Sequence, residues 1–365
     1  MDGRIALFTR DLAAGGVARV IANLSKGFIE RGHSVDVVLA RARGPFIDQL
    51  ADGVRVIDLG VERSLASIPG LVRYLRREQP TALLACQDGA NVVALWSKWL
   101  ARGSTRVLIS IHTNVSQNAR AATRARGRLI PYFMRWFYGW ADDVIAVSEG
   151  VADDVAGIAR LDRQRIHVIY NPVDTDHVKA LATVPLEHPW FAPDAPPVVL
   201  SAGRLTLQKD FPSLLRAFAQ VRHGRPARLM ILGEGDDRAA LEDLVGQLDC
   251  RDDVALPGFV TNPYPYMAAA GVFVLSSAWE GFGNVLIEAM ALGTPVVSTD
   301  CPSGPAEILG RGRYGALVPV GDVDALARAI ATALDHPPQA SCGIDRANTY
   351  SCERIASQYL AAIAH

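Results

Sequence analysis

Two glutamates and two glycines in one short stretch have the residue types needed to bind a phosphorylated sugar. Glu280 comes directly before Gly281, and Gly283 precedes a segment of helical character that contains Glu288. Glycine permits a sharp turn and a close backbone approach to a ligand. The first turn of a helix presents N–H groups and the positive end of its dipole to an anion. Because carboxylates also accept hydrogen bonds from sugar hydroxyls, the stretch predicts a nucleotide-sugar site.

The sequence around these residues predicts a strand, a turn and a helix, in that order. Residues 271–275 are apolar and rich in β-forming types, as expected of a buried strand in a parallel sheet. Asn284 has a side chain that can cap the helix, and Phe282, Gly283 and Val285 supply the backbone of the turn and first helical positions. The stretch therefore predicts a phosphate-binding backbone at the carboxyl end of a strand.

Two cations on an earlier loop could complete such a site. Arg204 offers a planar guanidinium fork and Lys209 a point charge, both after the predicted strand 198–202. A diphosphate needs cations of this kind. The alternative interpretation is a pair of exposed loop cations with no ligand. Three glycines that follow predicted strands would let the backbone approach the same ligand: Gly203, Gly233 and Gly235.

The first half of the chain is also predicted to contain a series of α/β units. A strand over 4–9, a helix over 17–31 and a strand over 35–39 form a βαβ unit, which predicts a parallel sheet. Gly16 lies in the turn between strand and helix, where a simple turn glycine is as good an interpretation as a phosphate contact. His112 follows the predicted strand 106–111, at the strand end where functional groups collect, although a structural histidine is the alternative.

Residues 117–142 combine arginines with aromatic side chains. Arg124, Arg128 and Arg135 stand among aromatic residues that include Trp136. One interpretation is a core helix whose arginines reach the solvent. The other is a basic, aromatic surface that meets anionic lipid head groups or a lipid-linked acceptor.

Composition limits the class of protein. The chain has 365 residues, which favours two domains, and a formal net charge of −1, which gives no global field for nucleic acid or an anionic membrane. Its 5 scattered cysteines fit a reducing cytosol better than a disulfide framework. We find no signal peptide and no 18-residue apolar span, so we expect a cytoplasmic protein, at most peripheral to the inner face of the cell membrane.

The combination of Arg204, Lys209, the turn at 233–235, Glu280 and Glu288 resembles the retaining glycosyltransferases of family 4, also called glycosyl transferases group 1. The resemblance covers essentially the full length of the chain. Residues 258–267 and 300–305 look like the bacterial members that build lipopolysaccharide, capsule or other lipid-linked glycans.

The resemblance implies a GT-B fold, in which two Rossmann-like domains face each other across a cleft. The corresponding boundaries are an N-terminal acceptor domain over 1–175, a proline-rich linker over 176–196 and a nucleotide-sugar donor domain over 197–343. The last segment, 344–365, would be a helix that crosses back to the N-terminal domain, which would explain its apolar positions.

The resemblance also implies roles for the candidate residues. In the family, the cation pair holds the diphosphate and assists its departure, so Arg204, Lys209, His112 and Glu280 are expected to be catalytic. Glu288 would accept hydrogen bonds from the ribose hydroxyls, and Glu280 and His112 would meet the transferred sugar. The remaining donor contacts would come from backbone or apolar groups: Gly16, Gly203, Gly233, Gly235, Val260, Gly281, Phe282, Gly283, Asn284 and Val285.

The reaction implied is the transfer of a hexose or N-acetylhexosamine from a UDP-sugar to a glycan acceptor, with retention of anomeric configuration. No cofactor or metal is expected, in agreement with the lack of an acidic D-x-D run at a strand end. The partners would be the nucleotide-sugar and a glycan or lipid-linked acceptor, and not nucleic acid. Alternatives on the same scaffold are a sugar-nucleotide epimerase, an inverting transferase and a non-catalytic protein that binds sugar nucleotides.

Overall fold

The chain forms two compact α/β units. The computed structural model describes residues 3–13, 15–122 and 125–364. Unit 1 comprises Met1–Val173 and Tyr350–His365, and unit 2 comprises Asp174–Thr349. Each unit has its own parallel sheet flanked by helices, so the prediction of an α/β chain with two Rossmann-like domains is confirmed.

Unit 1 is built on a 7-stranded sheet. Its strands are β1 (Ile5–Thr9), β2 (Val35–Leu39), β3 (Arg55–Asp58), β4 (Ala82–Cys86), β5 (Arg106–Ile111), β6 (Asp143–Ala146) and β7 (Ile166–Val168). Its helices up to this point of the chain are α1 (Gly16–Ile29), α2 (Ile68–Glu78), α3 (Asp88–Ala101), α4 (Val115–Ala121), α5 (Ala125–Phe137) and α6 (Glu149–Ala159).

The strand order of unit 1 is β3-β2-β1-β4-β5-β6-β7. Every residue of β1, β2 and β4 is buried, which is the burial expected of strands covered on both faces. From β1 to β3, successive strands are added towards one edge of the sheet. From β4 to β7, they are added towards the other edge. The order therefore reverses between β1 and β4, and ligands of open α/β sheets bind beside the carboxyl ends of strands at such a point.

Unit 2 repeats this plan with a 6-stranded sheet. Its strands are β8 (Val198–Ala202), β9 (Arg228–Leu232), β10 (Val254–Gly258), β11 (Val272–Leu275), β12 (Val296–Thr299) and β13 (Ala316–Val318). Its helices are α7 (Thr175–Ala182), α8 (Phe211–Gly224), α9 (Arg238–Gln247), α10 (Tyr264–Ala269), α11 (Asn284–Ala291), α12 (Pro305–Ile308), α13 (Val323–Asp335) and α14 (Ala340–Asn348).

The strand order of unit 2 is β10-β9-β8-β11-β12-β13. Here the direction reverses between β8 and β11, whose residues all lie buried in the middle of the sheet. The loops that leave β8 and β11 are the ones that carry Arg204, Lys209 and Glu280. The topology therefore brings the sequence-predicted cations and carboxylate to the reversal point.

The last helix, α15 (Cys352–Ala364), returns to unit 1 and packs on α1. Ile355, Tyr359 and Ile363 are buried along one face of it, at helical spacing. A side chain at Gly27 of α1 would place its Cβ 2.7 Å from the Cβ of Ala356, so glycine permits the close approach of the two helices. The apolar positions of this segment are thus explained by contacts within unit 1.

The segment 176–196, expected to be a linker, is structured as part of unit 2. Helix α7 fills its first part, packs against α10 and α11, and is capped by the Asp174 carboxylate, which accepts a hydrogen bond from the His177 amide at 3.1 Å. The Asn262 amide also donates to the Leu181 carbonyl at 2.9 Å. The prolines that suggested a linker lie beyond this helix. The polar composition of α7 is the reason why the sequence analysis did not predict a helix there.

No helix among the described residues is both long and apolar enough to cross a membrane.

Candidate active site

The loops after β8 and β11 are held together by hydrogen bonds between their backbones and side chains. The Ala278 amide donates to the Gln208 carbonyl at 2.8 Å, and the Gln208 side-chain amide donates to the Trp279 carbonyl at 3.0 Å. The Ser276 hydroxyl donates to the Lys209 carbonyl at 2.7 Å. These bonds fix the positions from which Lys209 and Glu280 extend.

Lys209 and Glu280 form a direct ion pair. The Lys209 Nζ lies 2.5 Å from Glu280 Oε1, and the Ser277 hydroxyl donates to the same oxygen at 2.7 Å. Both charged side chains are largely removed from solvent. A lysine has three N–H donors and Glu280 uses one of them, so the others can serve an anion beside the carboxylate. The pair therefore places a cation of the type that can bind phosphate next to an oxygen that can accept a hydrogen bond from a hydroxyl.

Arg204 is exposed, and its guanidinium differs from the Lys209 ammonium. No side chain in the described parts of the chain makes an ion pair with its guanidinium. Gly203, directly before it, lies under the Lys209 stem, since a Cβ there would be 3.0 Å from Lys209 Cε. The loop thus presents one cation fixed by a carboxylate and one cation open to solvent, as a diphosphate site requires.

Gly233 and Gly235 support the loop that carries Arg204. A Cβ on Gly233, whose φ is +143°, would lie 2.0 Å from the Gly203 carbonyl oxygen, and one on Gly235 would lie 2.2 Å from that of Leu205. The Leu205 amide donates to the Glu234 carbonyl at 2.9 Å. The lack of a side chain at these two glycines is therefore explained by packing between loops, and their contact with a diphosphate stays a prediction.

Gly283, and not Asn284, occupies the N-cap position of α11. Gly283 has φ +106°, a left-handed conformation that glycine adopts without strain, and Asn284 is the first helical residue. The expectation that Asn284 caps the helix was wrong, because the turn requires this conformation one residue earlier. Phe282 is buried, and Gly304 from the loop after β12 packs against its carbonyl, where a Cβ would lie 2.0 Å from the oxygen.

Glu288 is only 1% exposed, in the second turn of α11. A surface role for this carboxylate, the alternative to a ligand role, is excluded by its burial. Val260 is half-buried two residues beyond Gly258, whose carbonyl accepts a hydrogen bond from the Gly233 amide at 2.8 Å. The backbone thus connects the Val260 segment to the Gly233 turn.

His112 and Gly16 lie at the carboxyl ends of strands in unit 1. Gly16 is the first residue of α1, which follows β1, and it is exposed after Gly15, whose φ is +96°. His112 directly follows β5, the neighbour of β4 in the sheet. Both residues are therefore near the reversal point of the unit 1 sheet, and each follows a strand, as its sequence position predicted.

The His112 imidazole is neutral at physiological pH. Burial lowers its pKa from 6.5 to about 4, and the Asn171 side chain beside the ring partly offsets this shift. Both ring nitrogens are shielded from solvent and lack a hydrogen bond of good geometry within the described structure. A neutral imidazole can donate one hydrogen bond and accept another, which suits a sugar hydroxyl.

The region 117–142 forms a surface and not a core helix. Met134 and Tyr138 are buried, whereas Trp136 is 71% exposed and Arg128 and Arg135 also face solvent. Arg124 lies outside the described residues. The aromatic side chains that suggested a core helix mostly point away from the sheet.

Comparisons with known proteins agree with this architecture. The family model described as "Glycosyltransferase Family 4" matches residues 14–177, and "Glycosyl transferases group 1" matches residues 187–348. The chain belongs to glycosyltransferase family 4. The lipopolysaccharide core biosynthesis glycosyltransferase LpsE of Rhizobium meliloti is 31% identical over 324 residues, which cover 87% of this chain and 84% of that protein.

Other relatives of this family 4 chain match over a smaller share of their length. A Campylobacter jejuni N-acetylgalactosaminyltransferase, whose name specifies a diphospho-undecaprenol acceptor, is 32% identical over 56% of this chain and 54% of its own length. The alignment with an uncharacterised glycosyltransferase of Methanocaldococcus jannaschii spans 60% of that protein. The solved structure of Anabaena HepE with UDP and glucose covers 99% of both chains with a TM-score of 0.81 and 21% identity, which supports the fold.

One further candidate in this family 4 chain was missed at the sequence level. Asp88 is the first residue of α3, directly after β4 at the reversal point of unit 1. Burial raises the pKa of its carboxyl from 3.8 to about 6. Gln87 before it has φ +103°, a conformation rare outside glycine. Asp88 comes two residues after the apolar strand β4, so the positional signal that pointed to His112 would also have found it.

The described part of the chain contains no group of three or more histidine, cysteine, aspartate or glutamate side chains arranged to hold a metal ion. The cationic group that contacts Glu280 is the Lys209 ammonium.

The depressed pKa of His112 makes a prediction about its titration. The folded chain should keep His112 neutral from about pH 8 to about pH 5, whereas an ordinary histidine titrates near 6.5 in that interval. In histidine-selective NMR spectra, the resonance that disappears in His112→Asn should not shift across this range. A midpoint near 6.5 for that resonance would contradict the buried, neutral imidazole.

The same shift has a defined consequence for stability. The unfolded chain takes up a proton on His112 at higher pH than the folded chain does. The contribution of His112 to the free energy of unfolding therefore falls as the pH drops from 6.5 towards 4. Urea unfolding of the wild type and His112→Asn should therefore show a smaller pH dependence in the variant over that interval.

Proposed function

We propose that the chain is a retaining, metal-independent glycosyltransferase that moves a hexose or N-acetylhexosamine from a UDP-sugar to a glycan acceptor. The acceptor is proposed to be lipid-linked, in the synthesis of bacterial surface polysaccharide or glycolipid. The observation that carries the proposal is the Lys209–Glu280 pair beside the open cation Arg204, at the point where the strand order of unit 2 reverses.

The donor is proposed to bind to unit 2. Arg204 and Lys209 bind the diphosphate. Glu280 accepts hydrogen bonds from hydroxyls of the transferred sugar, and Glu288 accepts them from the ribose hydroxyls. Amides of the segment 281–285 contribute at the helix start, and Val260 lies near the base. Support comes from the adjacent positive and negative groups, which match the charged and neutral parts of a nucleotide-sugar. The HepE structures, of the same fold, contain UDP, UDP and glucose, and UDP-glucose.

Metal independence is proposed because the loop after β8 carries two side-chain cations that are available for the charge that develops on the leaving diphosphate. Arg204 and Lys209 would neutralise that charge without an ion. The bond between the anomeric carbon and the β-phosphate oxygen breaks, and the acceptor oxygen bonds to the same face of that carbon. The acceptor's hydroxyl proton passes to the departing diphosphate, so the carboxylate of Glu280 is not a nucleophile.

Groups in unit 1 are proposed to act on the sugar and the acceptor. His112 would hydrogen-bond a hydroxyl of the transferred sugar in its neutral form, and Gly16 would permit a close approach at the start of α1. Arg128, Arg135 and Trp136 would meet the acceptor or its lipid, with the protein at the inner face of the cell membrane. The acceptor named for the Campylobacter relative, a diphospho-undecaprenol, is an example of that class.

Glu288→Gln tests the donor site while keeping the volume of a buried side chain. Hydrogen bonds to charged groups contribute about 1.5–3 kcal/mol each, so neutralising the carboxylate should raise the Kd for UDP about tenfold or more. Calorimetric titration with UDP in the presence of EDTA measures this and tests metal independence at the same time. The exposed Glu187→Gln is the matched control, and thermal melting checks that both variants fold. Unchanged UDP affinity in Glu288→Gln would show that this carboxylate does not bind UDP.

The stereochemistry is tested on the product. With an α-linked UDP-sugar donor, NMR of the product formed in the first turnovers should show an α-linkage and no β-linkage. A β-linked product would establish an inverting transferase. UDP-sugar binding without transfer or hydrolysis across an acceptor panel would instead support a non-catalytic binding protein.

A further inference from the structure

Exposed aromatic side chains are concentrated on one part of unit 1. Of the 14 large hydrophobic residues that are exposed in the described parts of the chain, 8 lie on α3, on α5 and in the turn that follows α5. They include four of the chain's 6 tryptophans. The eight residues are Trp96, Trp99, Leu100, Leu129, Tyr132, Phe133, Trp136 and Trp140.

These side chains form one continuous surface that two helices share. The Trp96 ring of α3 meets the Phe137 ring of α5 edge-on, with centroids 5.5 Å apart. Phe137 also contacts Phe133 and Trp140, at 6.3 and 5.1 Å. Trp99 lies one helical turn after Trp96 and therefore on the same side of α3. The contribution of α3 was absent from the sequence interpretation, which considered residues 117–142 alone.

Basic residues predominate around this surface, although Arg106 is paired with Asp143. Residues 89–141 contain eight lysine and arginine residues and no aspartate or glutamate, although the whole chain has a formal net charge of −1. Lys98 is neutralised by Asp142, at 2.5 Å, whereas Arg102, Arg128 and Arg135 are exposed. Neither α5 nor the turn after it contains an acidic residue.

Helix α2 extends the basic part of the surface. The Arg76 guanidinium donates to the Leu100 carbonyl at 2.8 Å, which connects α2 to the carboxyl end of α3 beside Trp99. Arg73 and Arg77 are exposed on the same helix. The aromatic surface is therefore flanked by arginines on α2, at residue 102 and on α5.

We propose that this α2–α3–α5 surface docks on an anionic phospholipid bilayer. Tryptophan and tyrosine favour the interface between head groups and acyl chains, and arginines gain from the negative surface potential. A second copy of the chain would bring basic surfaces together, which opposes self-association. The inference deepens the proposed function, since a lipid-linked acceptor would be met at the same bilayer, but the binding itself requires no donor.

Vesicle sedimentation of the full chain tests the proposal. The wild type should bind vesicles of phosphatidylglycerol and phosphatidylcholine more strongly than phosphatidylcholine alone, and added salt should weaken the binding. Trp99→Ser/Trp136→Ser removes side chains that are 61% and 71% exposed and should lower the partition coefficient about tenfold. The control Val184→Ser/Val320→Ser changes side chains that are 48% and 41% exposed in unit 2 and should bind like the wild type.

Brominated lipid gives a second readout that does not depend on a variant. Bromine near the acyl boundary should quench the tryptophan emission of the wild type, because the four tryptophans would enter that depth. The proposal is overturned if the wild type fails to bind anionic vesicles at low salt, or if the double tryptophan variant binds equally well. A dimer that dissociates in this variant, without vesicle binding, would instead assign the surface to a second copy.

UDP affinity, a property of unit 2, is measured on the same preparations. Vesicle binding by a wild-type chain that does not bind UDP would refute the proposed donor site and leave the membrane surface standing. UDP binding without vesicle binding would refute only the proposal that the α2–α3–α5 surface docks on a bilayer.

Discussion

The ion pair between Lys209 and Glu280 is the interaction on which the proposed donor site of unit 2 depends. Opposite charges removed from water are stable only when hydrogen bonds and a rigid surrounding hold them in place. Here the Ser277 hydroxyl shares the carboxylate oxygen, and the loops after β8 and β11 are bonded to each other. Gly203 gives the lysine stem room to reach the carboxylate. The cation and the carboxylate that we propose for the phosphate and the sugar are thereby fixed side by side.

The two units use the same plan for different chemistry. Each places polar groups beside the carboxyl ends of the strands where the sheet order reverses, but unit 2 supplies a paired lysine and glutamate, and unit 1 supplies groups whose pKa values burial shifts. The pKa of His112 is lowered and that of Asp88 is raised, both because burial disfavours their charged forms. A neutral imidazole can exchange hydrogen bonds with hydroxyls, and the cations of unit 2 are of the type that can bind a diphosphate.

Much of the fold could be predicted from the alternation of buried strands and helices, and the candidate residues from their positions after strands. The pairing of Lys209 with Glu280 could not, because the two residues are distant in sequence and only the strand order brings them together. Local geometry decided other points: the positive φ of Gly283 gives it the cap position expected of Asn284, and Gly233 and Gly235 serve loop packing. The tryptophans of α3 fit a core helix equally well by spacing, and only their exposure shows otherwise.

The most direct measurement compares the affinities of Lys209→Met and Glu280→Gln for UDP and for the intact UDP-sugar, with Arg204 left in place. If the pair joins a phosphate site to a sugar site, Lys209→Met weakens the binding of both ligands. Glu280→Gln should then keep the affinity for UDP and lose the additional affinity that the sugar provides. Wild-type affinity of Lys209→Met for both ligands would contradict the assignment of this pair to the donor site.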